Sequence, residues 1–297
     1  MAAAPVRSIR QRGEQLAAAL PALLVAAERV AATVAQGVHG RRRVGTGDAF
    51  WQFRQYQFGD SATQVDWRRS AKSDRLFVRE TEWAAAESVW LWRDGSASMR
   101  WKSNFGPEPK RDRAELLLLA LSALLIRGGE RVALLGQDRL ASSGRAVLDR
   151  FTSSLSAEPN PASLPDVVEL PRHARVVLIG DFLSPLAELD RLVRGYAASG
   201  IAGHLLQVVD PAEEDLPFAG RTRFTGVEGE GELLVGKVEA LRPDWRARLD
   251  RRNAALADLA RAVGWTVARH RTDRPPQQAL LALYTTLAGD FVQRRNG

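Results

Sequence analysis

Asp94, Ser96 and Ser98 stand at alternate positions where an apolar run, SerValTrpLeuTrp (88–92), gives way to ArgAspGlySerAlaSerMet (93–99). One carboxylate and two hydroxyls in a loop can aim three oxygens at a single point. A hard cation such as Mg²⁺ takes six oxygen ligands at about 2.0–2.1 Å. The triplet therefore suits Mg²⁺ or Mn²⁺, with Asp94 supplying charge through water and the two hydroxyls coordinating directly. A second carboxylate, Asp181, ends the run ValValLeuIleGly (176–180). If the two runs are neighbouring strands, Asp181 faces the same crevice and closes the site. One ligand position then stays open for a partner's carboxylate. The plainer readings are a strand-to-helix turn for 94–98, its side chains bonding backbone N–H groups, and a helix N-cap for Asp181.

Those residues need elements to position them. From residue 88 onward, strands alternate with helices. Strands are expected at 88–92, 131–135, 174–180, 204–210 and 265–270, and helices at 111–127, 145–155, 185–199, 243–263 and 276–293. Two short strands, 222–226 and 232–235, interrupt the alternation. Such a pattern predicts an α/β fold with a mostly parallel sheet covered on both faces. The continuously apolar runs 176–180 and 204–209 are what buried parallel strands require. In open sheets of this kind, ligands sit beyond the carboxyl ends of the strands. Asp94 and Asp181 lie at such ends.

Before residue 86 the texture differs. Leu16, Leu20, Leu23, Ala27, Val30 and Val34 step along one helical face, with Pro21 opening or kinking it. Residues 41–86 are rich in Gly, Arg, aromatics and Asp, without a helical period, and one alternating strand is expected near 75–80. The domain reading is an N-terminal helix and irregular β extension over 1–85, packed on an α/β domain over 86–297.

Composition narrows the chemistry. The 297 residues contain no Cys, which excludes thiolate metal sites, disulfides and Cys nucleophiles. The four His lie far apart, so a His-based zinc site would have to be assembled wholly by the fold. The net charge is +7, but only four of the 42 basic residues are Lys, at 72, 102, 110 and 237, and the other 38 are Arg. So strong an Arg bias has the look of a coding bias rather than selection for phosphate. The Arg runs 41–43, 68–69 and 251–252 are short and dispersed, and a nucleic-acid partner is not expected. The apolar run 16–27 is too short to span a bilayer. Despite the Arg residues ahead of it, it is read as an amphipathic helix rather than a secretion signal. No transmembrane segment is expected, and the location expected is cytoplasmic, at most peripheral to a membrane.

The Asp94-x-Ser96-x-Ser98 pattern after a strand resembles the metal-ion-dependent adhesion site of von Willebrand factor A domains. A longer block is more specific. Phe53-Arg54-x-Tyr56-x-x-Gly59-Asp60, Val65-Asp66-Trp67, Ser70-Ala71-Lys72 and Leu76-x-Val78-Arg79-Glu80, followed by Asp94-x-Ser96-x-Ser98-Met99, resemble the signature of the DUF58 family. The family signature residues are thus Arg54, Tyr56, Gly59, Asp60, Asp66, Trp67 and Arg79. The resemblance implies a von Willebrand A-like fold. It implies no established catalysis, and a partnership with a MoxR-type AAA+ ATPase, or with its client protein, in the maturation of other proteins. Two positions depart from the family pattern, Thr63 and Lys72, where Arg is usual. The adhesion-site pattern also wants a Thr in the loop after the next strands. Here only Ser142 or Ser143 could substitute.

Within the block, Arg54, Asp60, Asp66, Arg69 and Arg79 are expected to form a buried ion-pair network. The aromatic residues, Tyr56 and Trp67 among them, are expected to pack. The function expected is a non-enzymatic interaction module whose divalent cation engages an acidic partner residue. Two alternatives come from other classes: a basic nucleic-acid-binding protein using the Arg runs above, and a serine hydrolase, since Ser96, Asp181 and His270 follow the chain order of α/β-hydrolases. The G-x-S-x-G elbow, however, is missing.

Overall fold

The structure, a computed structural model, describes residues 44–45, 49–56, 65–71, 75–82, 88–144, 146–156 and 162–295, with Gln11. The helical face read across 16–34 lies outside the described residues, as do Gly59 and Asp60. The chain divides into two compact units, with boundaries near residues 86 and 287.

The smaller unit carries β1 (Val44–Gly45), β2 (Ala49–Gln55) and β3 (Phe77–Glu82), an antiparallel sheet in the order β1-β3-β2. A four-residue helix, α1 (Trp67–Ser70), is capped by Asp66, whose side chain accepts from Arg69 N at 2.9 Å. Ser70 Oγ then accepts from Phe77 N at 2.9 Å and donates to Asp66 O at 2.8 Å, tying the helix to the strand. The Arg69 guanidinium lies over the Phe77 ring, 5.4 Å from its centroid. The signature residues Arg54 and Arg79 sit on neighbouring strands, paired with Val78 and Phe53. The expected burial does not hold at two positions: Asp66, half-buried, caps the helix, the role its short oxygen-bearing side chain favours, and Arg69 is exposed. Trp67 and Tyr56, expected to pack, are exposed.

The larger unit holds the parallel sheet. Its strands are β4 (Ser88–Arg93), β5 (Arg131–Leu134), β6 (Arg175–Gly180), β7 (Ala202–Val209) and β10 (Thr266–Arg271), in the order β10-β7-β6-β4-β5. Every pairing is parallel. The helices are α2 (Lys110–Arg127), α3 (Ala146–Ser156), α4 (Leu186–Ala198), α5 (Pro211–Asp215), α6 (Arg242–Ala262) and α7 (Pro276–Arg295). β8 (Thr222–Thr225) and β9 (Glu232–Val235) form a separate antiparallel hairpin.

The sequence dictates much of this. β4 and β6 are buried along their whole length, as apolar runs flanked by strands on both sides must be. α2 is buried from Arg113 to Leu125 without a break, consistent with its LeuLeuLeuLeuAlaLeu run, which is apolar all round. One core cluster joins Trp90 and Trp92 of β4 and Leu178 of β6 to Leu189 and Tyr196 of α4, and to Leu256 of α6 and Trp265. Counted along the chain, the sheet order is 2-1-3-4-5, a doubly wound arrangement whose order reverses between β4 and β6. The crevice for a ligand in such a sheet lies at that reversal.

Candidate functional site

β4 and β6 are direct neighbours, with Trp92 opposite Leu178 and Arg93 opposite Ile179. Their carboxyl ends therefore deliver Asp94 and Asp181 to one place. The approach is close. A Cβ on Gly180 would lie 2.8 Å from Asp94 Cβ and 3.0 Å from its Oδ2, so only glycine leaves room for that carboxylate.

The four residues singled out in the sequence come together. Ser96 Oγ and Ser98 Oγ are 3.0 Å apart, and Ser98 Oγ donates to Asp181 Oδ2 at 2.7 Å. Asp94 Oδ1 accepts from Ser96 N at 2.8 Å. All four side chains are buried, and Asp94 is wholly so. Asp94 Oδ2 has no hydrogen-bond partner among the described residues. Burial, reinforced by the negative charge of Asp181, pushes the Asp94 carboxyl up to about 7. Such a group calls for a positive charge.

One cation is already present. Lys110, at the start of α2, is fully buried and donates to Asp181 Oδ2 at 2.9 Å and to Glu213 Oε1 of α5. Burial opposes its charge, but Asp181 and Glu213 outweigh that and hold its pKa above the ordinary value. Glu213 is raised by burial, which Lys110 only partly offsets. Three carboxylates thus share one ammonium, and the oxygen left over is Asp94 Oδ2. The two serine hydroxyls are hydrogen-bonded to each other at 3.0 Å, a spacing that adjacent ligands of a hard cation, about 2.9 Å apart in an octahedron, share.

The surroundings hold the site rigid. Buried Arg93 donates to Asp94 O at 3.1 Å and pairs with Glu115 of α2 at 3.2 Å. Gln207 of β7 donates to Asp181 O at 3.2 Å. Phe182 is a non-glycine residue at φ 53°, a sparsely populated conformation that surrounding contacts must enforce. Arg252 of α6 grips its carbonyl and donates to Ser184 O at 2.6 Å. At the end of β7, Asp210 accepts from Ser103 Oγ at 2.5 Å and Ser103 N at 2.9 Å, and caps α5 through Ala212 N. Glu213 returns to Asp210 N at 2.8 Å. Finally Glu228, in the β8–β9 turn, accepts from Ser98 N at 3.1 Å.

Some expectations do not assemble. Ser142 pairs with Val132 on the edge of β5, level with Val89 and five residues before Asp94. That is about 16 Å down the strand, so neither Ser142 nor Ser143 completes the site. Asp181 is not the N-cap of α4, since Pro185 holds that position. Its Oδ1 instead accepts from Leu183 N at 3.1 Å. His270 lies on β10, three strand spacings or about 14 Å from β4. Its Nε2 lies 2.8 Å from Arg113 Nη1. Burial and that guanidinium hold its pKa down, at about 4. Ser96, Asp181 and His270 are therefore not brought together as a triad. Among the described residues, no group of three or more His, Cys, Asp or Glu is arranged to hold a metal ion. The candidate cluster relies on hydroxyls instead.

Lys110, Glu213 and Glu228 escaped the reading of the sequence, whereas Asp210 stands at a strand end that the reading marks. For Lys110 a signal existed. A chain with 38 Arg and four Lys places one of those Lys at the start of α2, beside Arg111, Asp112 and Arg113 and ahead of the apolar run. A compact ammonium fits where a planar guanidinium does not.

A family model described as a protein of unknown function, DUF58, matches residues 52–255. The chain is 28% identical over 278 residues to an uncharacterized protein of Mycobacterium bovis and, equally, to one of Mycobacterium tuberculosis, covering 88% of this chain and 86% of each relative. Among solved structures it is similar to the conserved hypothetical protein BatB of Bacteroides thetaiotaomicron (TM-score 0.41, 15% identity, 69% of this chain and 100% of that one). It is also similar to an aerotolerance-related membrane protein of Bacteroides fragilis (TM-score 0.39, 15% identity, 70% of this chain and 100% of that one). An uncharacterized membrane-spanning protein of Vibrio fischeri matches with a TM-score of 0.18, at 14% identity over 69% of this chain and 97% of that one. The descriptions of the last two as membrane proteins overturn the cytoplasmic location expected from the sequence, and that expectation is withdrawn. Among the described residues, no helix is long and apolar enough to cross a membrane.

Proposed function

The chain belongs to the DUF58 family, and from that premise we propose that it is a non-enzymatic protein-interaction module of von Willebrand A-like fold. Its docking point is a divalent cation, Mg²⁺ or Mn²⁺, held at the carboxyl ends of β4 and β6. Ser96 and Ser98 would coordinate through their hydroxyls, Asp181 would close the site, and Asp94 would contribute charge. The bound cation would supply a Lewis-acidic position for a carboxylate of the partner. The observation that carries this reading is the buried, unpartnered Asp94 Oδ2 beside two hydroxyls 3.0 Å apart.

The chain's own residues prepare that position. Lys110 neutralises Asp181 and Glu213 enough for the loops after β6 and β7 to close. Its ammonium hydrogen-bonds Asp181 and Glu213 but not Asp94, whose carboxyl stays raised despite it and so keeps the demand for a second cation. Arg93 and Gln207 fix the carbonyls of the two Asp residues, so the oxygens are preorganised and an incoming ion need not order them.

The partner we propose is a MoxR-type AAA+ ATPase or its client. The support for it is the family resemblance, together with a site that asks for an acidic side chain. The test is binding of the purified ATPase to this protein on a sensor surface, in Mg²⁺ and then in EDTA. Binding that depends on Mg²⁺ and disappears in Asp94→Asn is the expected result. Binding indifferent to both chelation and substitution would refute a metal-bridged contact.

A further inference from the structure

The β8–β9 hairpin places an acidic residue of this same chain at the candidate cation site. Its tip reads GlyValGluGlyGluGly (226–231). Gly229 and Gly231 adopt φ of 95° and 88°, and the turn is closed by Gly226 N donating to Gly231 O at 2.7 Å. Glu230 Oε2 accepts from Glu228 N at 2.9 Å, which fixes the backbone from which Glu228 projects. Glu228 Oε1 then accepts from Ser98 N across 130 residues of sequence. Its carboxylate is thereby held at the residue whose hydroxyl bonds Asp181. This hairpin is exposed along β9, and Val227, Leu233 and Leu234 are exposed apolar residues on it. Phe224 packs edge-on against Phe218 at the base of the hairpin, with ring centroids 5.8 Å apart, and at the tip the polar contact to Ser98 ties the turn to the site.

We infer that Glu228, now bonded to the Ser98 N–H, is an internal carboxylate ligand that turns onto the cation when one binds and then occupies in cis the position that a partner's acidic residue takes when it docks. The inference rests on the cation reading above. Two observations meet in it. Asp94 Oδ2 is a fully buried oxygen without a hydrogen-bond partner among the described residues, which marks a place for a cation. Glu228 is an acidic side chain from a distant element already hydrogen-bonded at the rim of that place. A partner must then displace the hairpin tip, and the unbound module is capped by its own glutamate.

Calorimetric titration with Mn²⁺ alone tests this on the full chain, comparing wild type, Glu228→Gln, Glu232→Gln and Asp94→Asn. Glu232 is an exposed β9 residue opposite Thr225, its carboxylate 3.8 Å from Arg223 on the diagonal. Its substitution removes the same charge from the same hairpin. Loss of one charged ligand should weaken Mn²⁺ binding about tenfold in Glu228→Gln, with Glu232→Gln at the wild-type value and Asp94→Asn showing no binding. Wild-type affinity in Glu228→Gln, with binding still lost in Asp94→Asn, would overturn the internal-ligand role and leave the cation site standing. Equal weakening in both hairpin variants would reduce Glu228 to a general charge effect and also overturn it. No Mn²⁺ binding by wild type would remove the cation reading and this inference together.

Discussion

Asp94 and Lys110 occupy the same buried pocket with opposite needs, and their substitutions should diverge. Asp94→Asn keeps an oxygen for Ser96 N and removes a charge that burial and Asp181 disfavour. Without added metal at pH 8, the variant is expected to be at least as stable as wild type by chemical denaturation. A loss of more than about 1 kcal/mol would contradict the electrostatic account. Lys110→Met leaves Asp181 and Glu213 buried without their cation. Breaking a buried pair in this way costs about 3–5 kcal/mol, and a near-neutral result would show that the ammonium is not what holds those loops. His270 sets a pH dependence of its own. Its folded pKa of about 4 lies below the ordinary 6.5, so between those values the unfolded chain binds more protons. Stability from this group is full above pH 6.5 and is lost as pH falls towards 4, by about 3 kcal/mol at most. Asp94 acts with the opposite sign over much of that window, because its folded pKa is raised. Wild-type curves therefore mix the two, and the His270 share is read as the difference between wild type and His270→Gln across pH 4–7.

At the level of elements, the closeness of β4 and β6 is what makes a site, and Gly180 is what permits it. Gly180→Ala would drive a methyl group against Asp94. Overpacking of this kind costs about 1–3 kcal/mol, and the displaced carboxylate should lose its effect on metal binding. A variant that melts and binds Mn²⁺ like wild type would show the crevice to be looser than described. The strands and helices were legible because buried parallel strands leave unbroken apolar runs. SerValTrpLeuTrpArg, ArgValValLeuIleGly and the LeuLeuLeuLeu stretch of α2 each fall within a residue or two of where their composition puts them. The pairing of β4 with β6 was the condition on which the strand-end reading joined Asp94 to Asp181, and the structure supplies it. What composition could not convey was which distant loop arrives at the same point. Glu213 and Glu228 sit in polar, Gly- or Pro-containing turns that read as solvent-facing, and only the tertiary placement of α5 and the hairpin brings them in. Ser142 shows the converse error. Its type was suitable, but an antiparallel bridge to Val132 holds it at the other end of β5.

Across the whole molecule, the claim is that a doubly wound sheet presents one cation at its order reversal as a handle for another protein. The parallel sheet brings Asp94 and Asp181 to one place, and the proposal starts from there. The orphan oxygen of Asp94 and the paired hydroxyls of Ser96 and Ser98 give it its chemistry. The most direct measurement is anomalous scattering from crystals of the full chain soaked in Mn²⁺. A single anomalous peak about 2 Å from Ser96 Oγ and Ser98 Oγ, beside Asp181 and Asp94, is the predicted result. Clear density for all four side chains with no anomalous peak at millimolar Mn²⁺, and Asp94 bonded only to water or protein, would contradict the account.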